Sequence, residues 1–454
     1  MSKLLGVGVV AVAWGLLSGG ARAEEPLRLE AGPHLFIDDH LIARQSGLRR
    51  VIVEPVRLPE PVVTGPEDKC FQPYVTVLRD PATKRFRIWY GIPENESRSH
   101  LGYMESDDGI RWQRPHRVLK DPAHIQFGVS ILDDGPDCKD AAQRYKYGFW
   151  DAGGLQIAVS PDGLDWTMLA PTPVLEHDHD INCIFRDPVR NRYMALVSTY
   201  TEGPAWPGKR RIPMMSVSDD LLHWEKPWVI IRPDGQDEGE TQFYCMGGLI
   251  ARGPLLIGML RVLRDDLPAD PGGDVRGLGY TVLAWSRDGR TWQRDREPFL
   301  PRNPKPGTWD HAMTWADCQL PVDDEMYIYY GGYARGHKVD RFTERQIGLA
   351  RMPVDRYVAR EADGQEGRLL TKPLLLKGKA LTLNASVKGR LRVRVCDLEG
   401  NPLDGFDWRD GPTIEGDSVH HRLAWKGGTL PASSQPVRLE FGLQDGRVFG
   451  FSLQ

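Results

Sequence analysis

One seven-residue phrase recurs four times in this chain, and its spacing constrains the fold more than any other feature. It reads SDDGIRW (Ser106 to Trp112), SPDGLDW (Ser160 to Trp166), SDDLLHW (Ser218 to Trp224) and SRDGRTW (Ser286 to Trp292). The serines stand at 106, 160, 218 and 286, so consecutive copies are 54, 58 and 68 residues apart. A repeat of that length is one supersecondary unit copied several times, and a four-stranded propeller blade with loop insertions has this size. The phrase has a local reason to exist. Asp-Gly turns the chain, Ser and Asp accept hydrogen bonds from nearby backbone amides, and the Trp opens the next strand and packs between blades. It reads as a structural signature rather than a site.

A second repeat runs in register with the first. Tyr74 to Gly91 reads as strand, Asp-Pro turn, strand; Ser130 to Trp150 repeats it with a longer turn, and Cys183 to Ser198 repeats it closely. Gly247 to Leu260 and Cys318 to Gly332 are fourth and fifth copies. Each of the first four precedes a Ser-x-Asp phrase, and the fifth ends in IGLARMPVDRYV (Ile347 to Val358). Two independent repeats therefore count to five blades. The expected fold is all-β: a five-bladed β-propeller over 62–358, followed by a small β-sandwich over 373–454, where apolar and polar residues alternate between turns. N-terminal strands and a proline-rich lead-in fill 24–61, and 359–372 reads as a charged link.

Met1 to Ala23 has the form of a secretory signal. Lys3 begins it, Leu4 to Leu17 is apolar, and Ala21-Arg22-Ala23 is a small-x-small cleavage site. Export, to the periplasm or the medium, is the expectation, with no membrane span later in the chain. Lys plus Arg is 58 and Asp plus Glu is 62, a net charge of −4 with no basic run, which argues against a nucleic-acid partner. None of the six cysteines lies in a C-x-x-C pair, and no disulfide is assigned. Oligomeric state is not legible.

In a propeller the innermost strand of each blade runs beside the axis, so the residues that begin it converge on one mouth. Blade one offers Asp68, and blade two His124 and Gln126. Blade three offers His177, Asp178, His179 and Asp180. Blade four offers Asp237, Glu238 and Glu240, and blade five Trp309, Asp310 and His311. That is more acid than a structural rim needs. Glycosidic hydrolysis uses two carboxyl groups, one to protonate the leaving oxygen and one to attack or to activate water. Residues two apart in a strand share a face, so Asp178 and Asp180 are alternatives, as are Glu238 and Glu240. Glu240 is the candidate proton donor, Asp68 or Asp180 the base or nucleophile, and Asp310 a tuning or hydroxyl-binding acid. Gln126, His179, Glu238, Trp309, His311 and Arg335 are candidate substrate contacts, with His337 beside Arg335. Trp309, Trp315, Tyr244 and Trp206 are candidate sugar platforms.

No cofactor is required. His177-x-His179 has ligands that suit a zinc-like ion, and a calcium or other divalent ion on the axis is equally compatible. The expected partner is a carbohydrate. Two other readings use the same residues: a non-catalytic carbohydrate-binding propeller, and a structural or interaction scaffold.

The five units, the S-x-D-x-x-x-W phrases, F-R-D-P and the terminal G-L-A-R-x-P-x-D-R together resemble the furanosidase superfamily of glycoside hydrolases, families thirty-two and forty-three. The chain is also similar to secreted propeller proteins that open on L-F-I-D-D, here Leu35 to Asp39. The resemblance covers about 62–358 and implies a five-bladed propeller with three acting carboxylates. In that superfamily an R-D-P supplies a catalytic Asp. Here Arg186-Asp187-Pro188 aligns internally with Arg79-Asp80-Pro81 in a strand-to-strand turn, so the repeat explains Asp187 and catalysis does not.

Overall fold

The computed structural model describes residues 25–71, 74–179, 182–203, 206–270, 272–339, 344–431 and 434–454. The expected signal lies outside them, as does Asp180. The described chain is nearly all-β: one short helix, Gly65–Asp68, and a single 3-10 turn interrupt the strands. No helix among the described residues is long and apolar enough to cross a membrane. All six cysteines are free thiols.

Five antiparallel meanders follow one another along the chain, consistent with a propeller. The first runs Val75–Arg79, Phe86–Asn95, Arg98–Ser106 and Arg117–Val118. The second uses Phe127–Asp133, Tyr145–Asp151, Gly154–Ser160 and Thr167–Met168, and the third Asn182–Asp187, Arg192–Gly203, Trp206–Ser218 and Trp228–Val229. The fourth is Thr241–Arg252, Leu255–Pro268, Arg276–Ser286 and Gln293–Arg294. The fifth has Met313–Val322, Glu325–Tyr333 and Gln346–Pro353, and takes its outer strand, Val56–Arg57, from near the start of the chain.

The first strand of each meander packs against the first strand of the next, and the fifth returns to the first. A side chain bridges every junction. Thr76 Oγ1 accepts from Ile131 N (3.0 Å), Ser130 Oγ from Ile184 N (2.8 Å), and Ser198 Oγ donates to Tyr244 O (3.1 Å). Thr281 Oγ1 accepts from Ala316 N (2.9 Å), and Asp317 closes the ring by accepting from Val75 N (2.8 Å) while pairing with buried Arg261 of the fourth meander. Four of these groups accept from backbone N–H groups on the neighbouring meander, and Ser198 donates to a carbonyl there.

The recurring phrase sits at the end of the third strand in each of the first four meanders. Its serine accepts from the amide three residues on (Gly109, Gly163, Leu221, Gly289), at 2.9 Å every time. Its Asp accepts from the amides two and three residues on, as Asp108 does from Ile110 and Arg111. The turn's carbonyl then meets the neighbouring meander: Tyr329 donates to Gly109 O (2.8 Å), Trp89 to Gly163 O (2.8 Å) and Arg192 to Gly289 O (3.1 Å). Asp187 behaves like the phrase. It is buried, accepts from Val189 N and Arg190 N, and pairs with Arg190 (2.9 Å).

The stretch expected as a charged link is structured. Val358–Ala362 and Gly367–Thr371 are strands, and both pair with Arg438–Leu453. They share one eight-stranded sheet with Gly32–Leu35, Ile42–Ser46 and Arg49–Ile52 from the N-terminal region and with Leu381–Cys396 and Ile414–Leu423. Charge misled here because the charged side chains are buried and paired, Arg360 with Asp39 (2.8 Å) and Glu361 with Arg49 and Arg447. The sheet bends at bulges near Leu383 and Val387 and encloses its own core around Phe36, Leu391, Phe441 and Phe451. The L-F-I-D-D opening docks this body on the fourth meander: Asp38 receives Arg287 (2.7 Å) and Trp285 (3.1 Å), and Arg50 holds Asp295 through two bonds (2.8 and 2.9 Å).

Candidate functional site

The first strands begin, and the second strands end, at the same side of the ring. There a cavity of about 270 Å³ is lined by Gln126, Trp150, Asp178, His179, Tyr200, Arg211, Tyr244, His337 and Lys338, among others. Below it the five first strands line an axial channel of about 390 Å³.

The aromatic floor is a stack. Tyr244 lies on Trp315 with centroids 4.5 Å apart and ring planes 26° apart, and Trp315 is fixed by donating to Val262 O (2.9 Å). His337 stands edge-on to both rings at 5.3 and 5.6 Å. Its loop approaches because Gly277, at φ +99°, has no side chain: a methyl there would lie 2.5 Å from His337 Cβ. His179 stands edge-on to Tyr200 and Tyr244.

Arg211 ties these groups together. Its Nε donates to His179 Nε2 (3.0 Å) and its Nη1 to Gln242 Oε1 (2.8 Å), and its guanidinium lies 5.1 and 5.0 Å from the Tyr200 and Tyr244 rings. Asp265 is 3.8 Å from Arg211 and accepts from His337 Nδ1 (3.2 Å). That bond points the far nitrogen of His337 away from the carboxylate. Burial alone would raise Asp265; the His337 hydrogen bond, with the charges of His337, Arg211 and Lys338, holds it below the usual carboxylate range. Burial lowers His337, against the pull of Asp265. Burial followed by the Arg211 charge drives His179 well below the usual imidazole range, in keeping with an Nε2 that accepts from an arginine. Both imidazoles are neutral near pH 7. Asp178, on the rim, accepts from Thr199 Oγ1 (2.9 Å).

Of the residues singled out by blade register, Gln126, Asp178 and His179 line this cavity; so do Tyr244 and His337, and Trp315 supports its floor. The others stand elsewhere. Asp68 is buried and accepts from Arg114 through both oxygens (3.0 and 2.7 Å) and from Thr64 N (2.9 Å). Asp310 is buried between Asn303 (2.9 Å) and Tyr330 (3.1 Å). Glu240 is exposed on the loop before the fourth meander, where its charge acts on Arg210; Glu238 beside it is also exposed, 4.0 Å from Arg264. Trp309 donates to Pro59 O (3.1 Å) and stacks on Tyr330, His311 is held by Asn303 O and Asp270 (2.8 Å each), and exposed Arg335 pairs with Glu344 (2.6 Å). Trp206 folds back on its own hairpin at Thr201 O. Among the described residues no group of three or more His, Cys, Asp or Glu is placed to hold a metal ion.

Blade register missed Arg211, Asp265, Tyr200 and Trp150. They lie on second and third strands, whose mouth-side ends were not read. The available signal was antiparallel pairing itself: Gln242 faces Leu263, so the residues just after Leu263 must return to the mouth.

No family model matches the chain, and no curated protein does. Solved structures of similar shape include a glycoside hydrolase (14% identical, covering 66% of this chain and 91% of that one, TM-score 0.46). A glycosyl hydrolase from Bacteroides ovatus is 16% identical over 68% of this chain and 96% of that one, with a TM-score of 0.44. The Bombyx mori GH32 β-fructofuranosidase BmSUC1 is 13% identical over 93% of both chains, with a TM-score of 0.39. At these identities and scores the likenesses carry nothing about the site.

Proposed function

We propose that the protein is an exported carbohydrate-active enzyme, a glycoside hydrolase that acts on an oligo- or polysaccharide in the mouth cavity. The five meanders are read as five blades of a propeller and the curled eight-stranded sheet as its accompanying sandwich. One observation carries the reading. One carboxylate, Asp178, lines the pocket, and a second, Asp265, stands behind the lining residues Arg211 and His337, with the Tyr244–Trp315 stack beneath. The more exposed lining rings, Tyr200 and Trp150, can take the apolar face of a sugar, and a pair of carboxyl groups is what glycosidic cleavage uses. Asp265, held ionised, is the base or nucleophile; Asp178, open to solvent, is the proton donor.

The test is a screen of the purified protein on a glycan panel with Asp178→Asn, Asp265→Asn and Glu240→Gln. Turnover should fall by about 100-fold or more in each Asp variant, at unchanged melting temperature, and survive in Glu240→Gln. Turnover that survives in both Asp variants overturns the assignment. The locked state of Asp68 and Asp310 favours a second reading, a carbohydrate-binding propeller without catalysis; binding with no turnover on any glycan would establish it.

A further inference from the structure

Resting on the carbohydrate reading above, we infer that the cavity selects an acidic sugar, a uronate whose carboxylate is gripped by Arg211 with help from Lys338. Arg211 cannot lose its proton, and the groups that accept its hydrogen bonds are uncharged, although Asp265 stands 3.8 Å away and Asp178 lies on the rim. His179 accepts its Nε proton as a neutral imidazole, Gln242 accepts at Nη1, and Tyr200 and Tyr244 flank the guanidinium. Asp265, the carboxylate paired with it, stands at 3.8 Å and is engaged by His337 as well. Nη2 has no acceptor among the described residues, and it is not sealed from solvent. A planar guanidinium presented this way fits a planar carboxylate. Lys338 lines the same cavity and is exposed, so a second cation stands at the entrance.

A neutral sugar uses these groups poorly. Its hydroxyls offer Nη2 only neutral acceptors, whereas a uronate offers it a carboxylate, in addition to Asp265 at 3.8 Å. Tyr200 and Trp150, the more exposed rings of the lining, take the sugar face and Arg211 reads its carboxyl group. Specificity then rests on the charge-assisted carboxylate bond to Nη2 that a neutral sugar cannot make.

The experiment uses the full chain and calorimetric titration. The probes are galacturonate, glucuronate, mannuronate and guluronate oligomers, each with its methyl-esterified and its carboxyl-reduced counterpart. At least one acid form should bind about tenfold or more tighter than its own ester and reduced forms, and Arg211→Gln should remove that preference while Lys338→Gln weakens it less. Arg211→Lys, which keeps the charge and loses the fork, should retain part of it; melting curves verify folding. Equal affinity for acid, ester and reduced forms overturns the inference and leaves the carbohydrate reading intact. A preference that persists in folded Arg211→Gln also overturns it, as does a sulfated neutral oligosaccharide bound as tightly with the same Arg211 dependence. If no glycan of any kind binds or turns over, the carbohydrate reading itself fails.

Discussion

The two ends of the meanders use the same residue type for opposite purposes. At the phrase end, Asp108, Asp162, Asp220 and Asp288 turn inward on their own backbone, each bonded to the amides two and three residues on. At the mouth, Asp265 bonds to a histidine and faces an arginine across the meanders, and Asp178 borders open volume. A carboxylate that satisfies local amides stabilises a turn whatever lies beyond it. A carboxylate whose partners come from three meanders exists only in the finished ring. The difference separates acids that make the fold from acids available to a ligand, and four acids named from register alone are sorted by it: Asp68 and Asp310 join the fold, Glu240 joins the surface, and Asp180 lies outside the described residues.

The strongest way to break this sorting is Asp68→Ala. Asp68 is buried and Arg114 exposed, so the variant loses charge-assisted hydrogen bonds from Arg114 and the bond from Thr64 N without stranding a buried charge, at a cost of about 1.5–3 kcal/mol. Urea unfolding should show that loss, with turnover per folded molecule preserved. A fully stable but inactive Asp68→Ala protein would move Asp68 back to the site.

Much of this was legible in sequence because it is local. The hairpins announce themselves through Asp-Pro and Asp-Gly turns, and the phrase needs only its own seven residues to close, as Ser106 and Asp108 show. The structured stretch over 359–372 was illegible because its partner, Arg438–Leu453, is some eighty residues distant and pairing leaves no local trace. The site was half legible for the same reason. His179 and Tyr244 lie at first-strand starts, where register could reach them. Arg211 and Asp265 lie where two other strands return, and their meeting depends on ring closure.

A pair of glycines sharpens the comparison. Gly109, at φ +72°, belongs to the phrase end, and a methyl there would lie 2.7 Å from Tyr329 Oη. Gly277 belongs to the mouth and makes room for His337. Gly109→Ala should cost about 1–3 kcal/mol of stability through left-handed strain and a displaced Tyr329, with little change in turnover. Gly277→Ala should instead push His337 off Asp265 and lower kcat about tenfold or more. If both variants lose stability and activity in the same proportion, the two ends are not functionally distinct.

The smallest effect, and the one that reports on both ends in a single measurement, is the pH dependence of unfolding. Burial lowers His177, His179 and His337; Asp178 partly opposes this for His177, which still falls to about 4. A buried imidazole with a depressed folded value costs nothing above the unfolded value of about 6.5, where both states are neutral. Below that, the unfolded chain takes up protons the folded one refuses, so stability falls from about pH 6.5 towards 4. The phrase acids act later and through the opposite charge. Burial alone would raise Asp288, but the amides of Thr291 and Arg290 and the Ser286 hydroxyl bring it to about 2, so its contribution is complete above its unfolded value and is lost as pH falls from about 4 to 2. The urea midpoint should therefore decline in two limbs. His177→Gln should flatten the upper limb and leave the lower one, and Asp288→Asn should do the reverse. An upper limb unchanged in His177→Gln would show that the mouth histidines are not held neutral by burial in the folded ring.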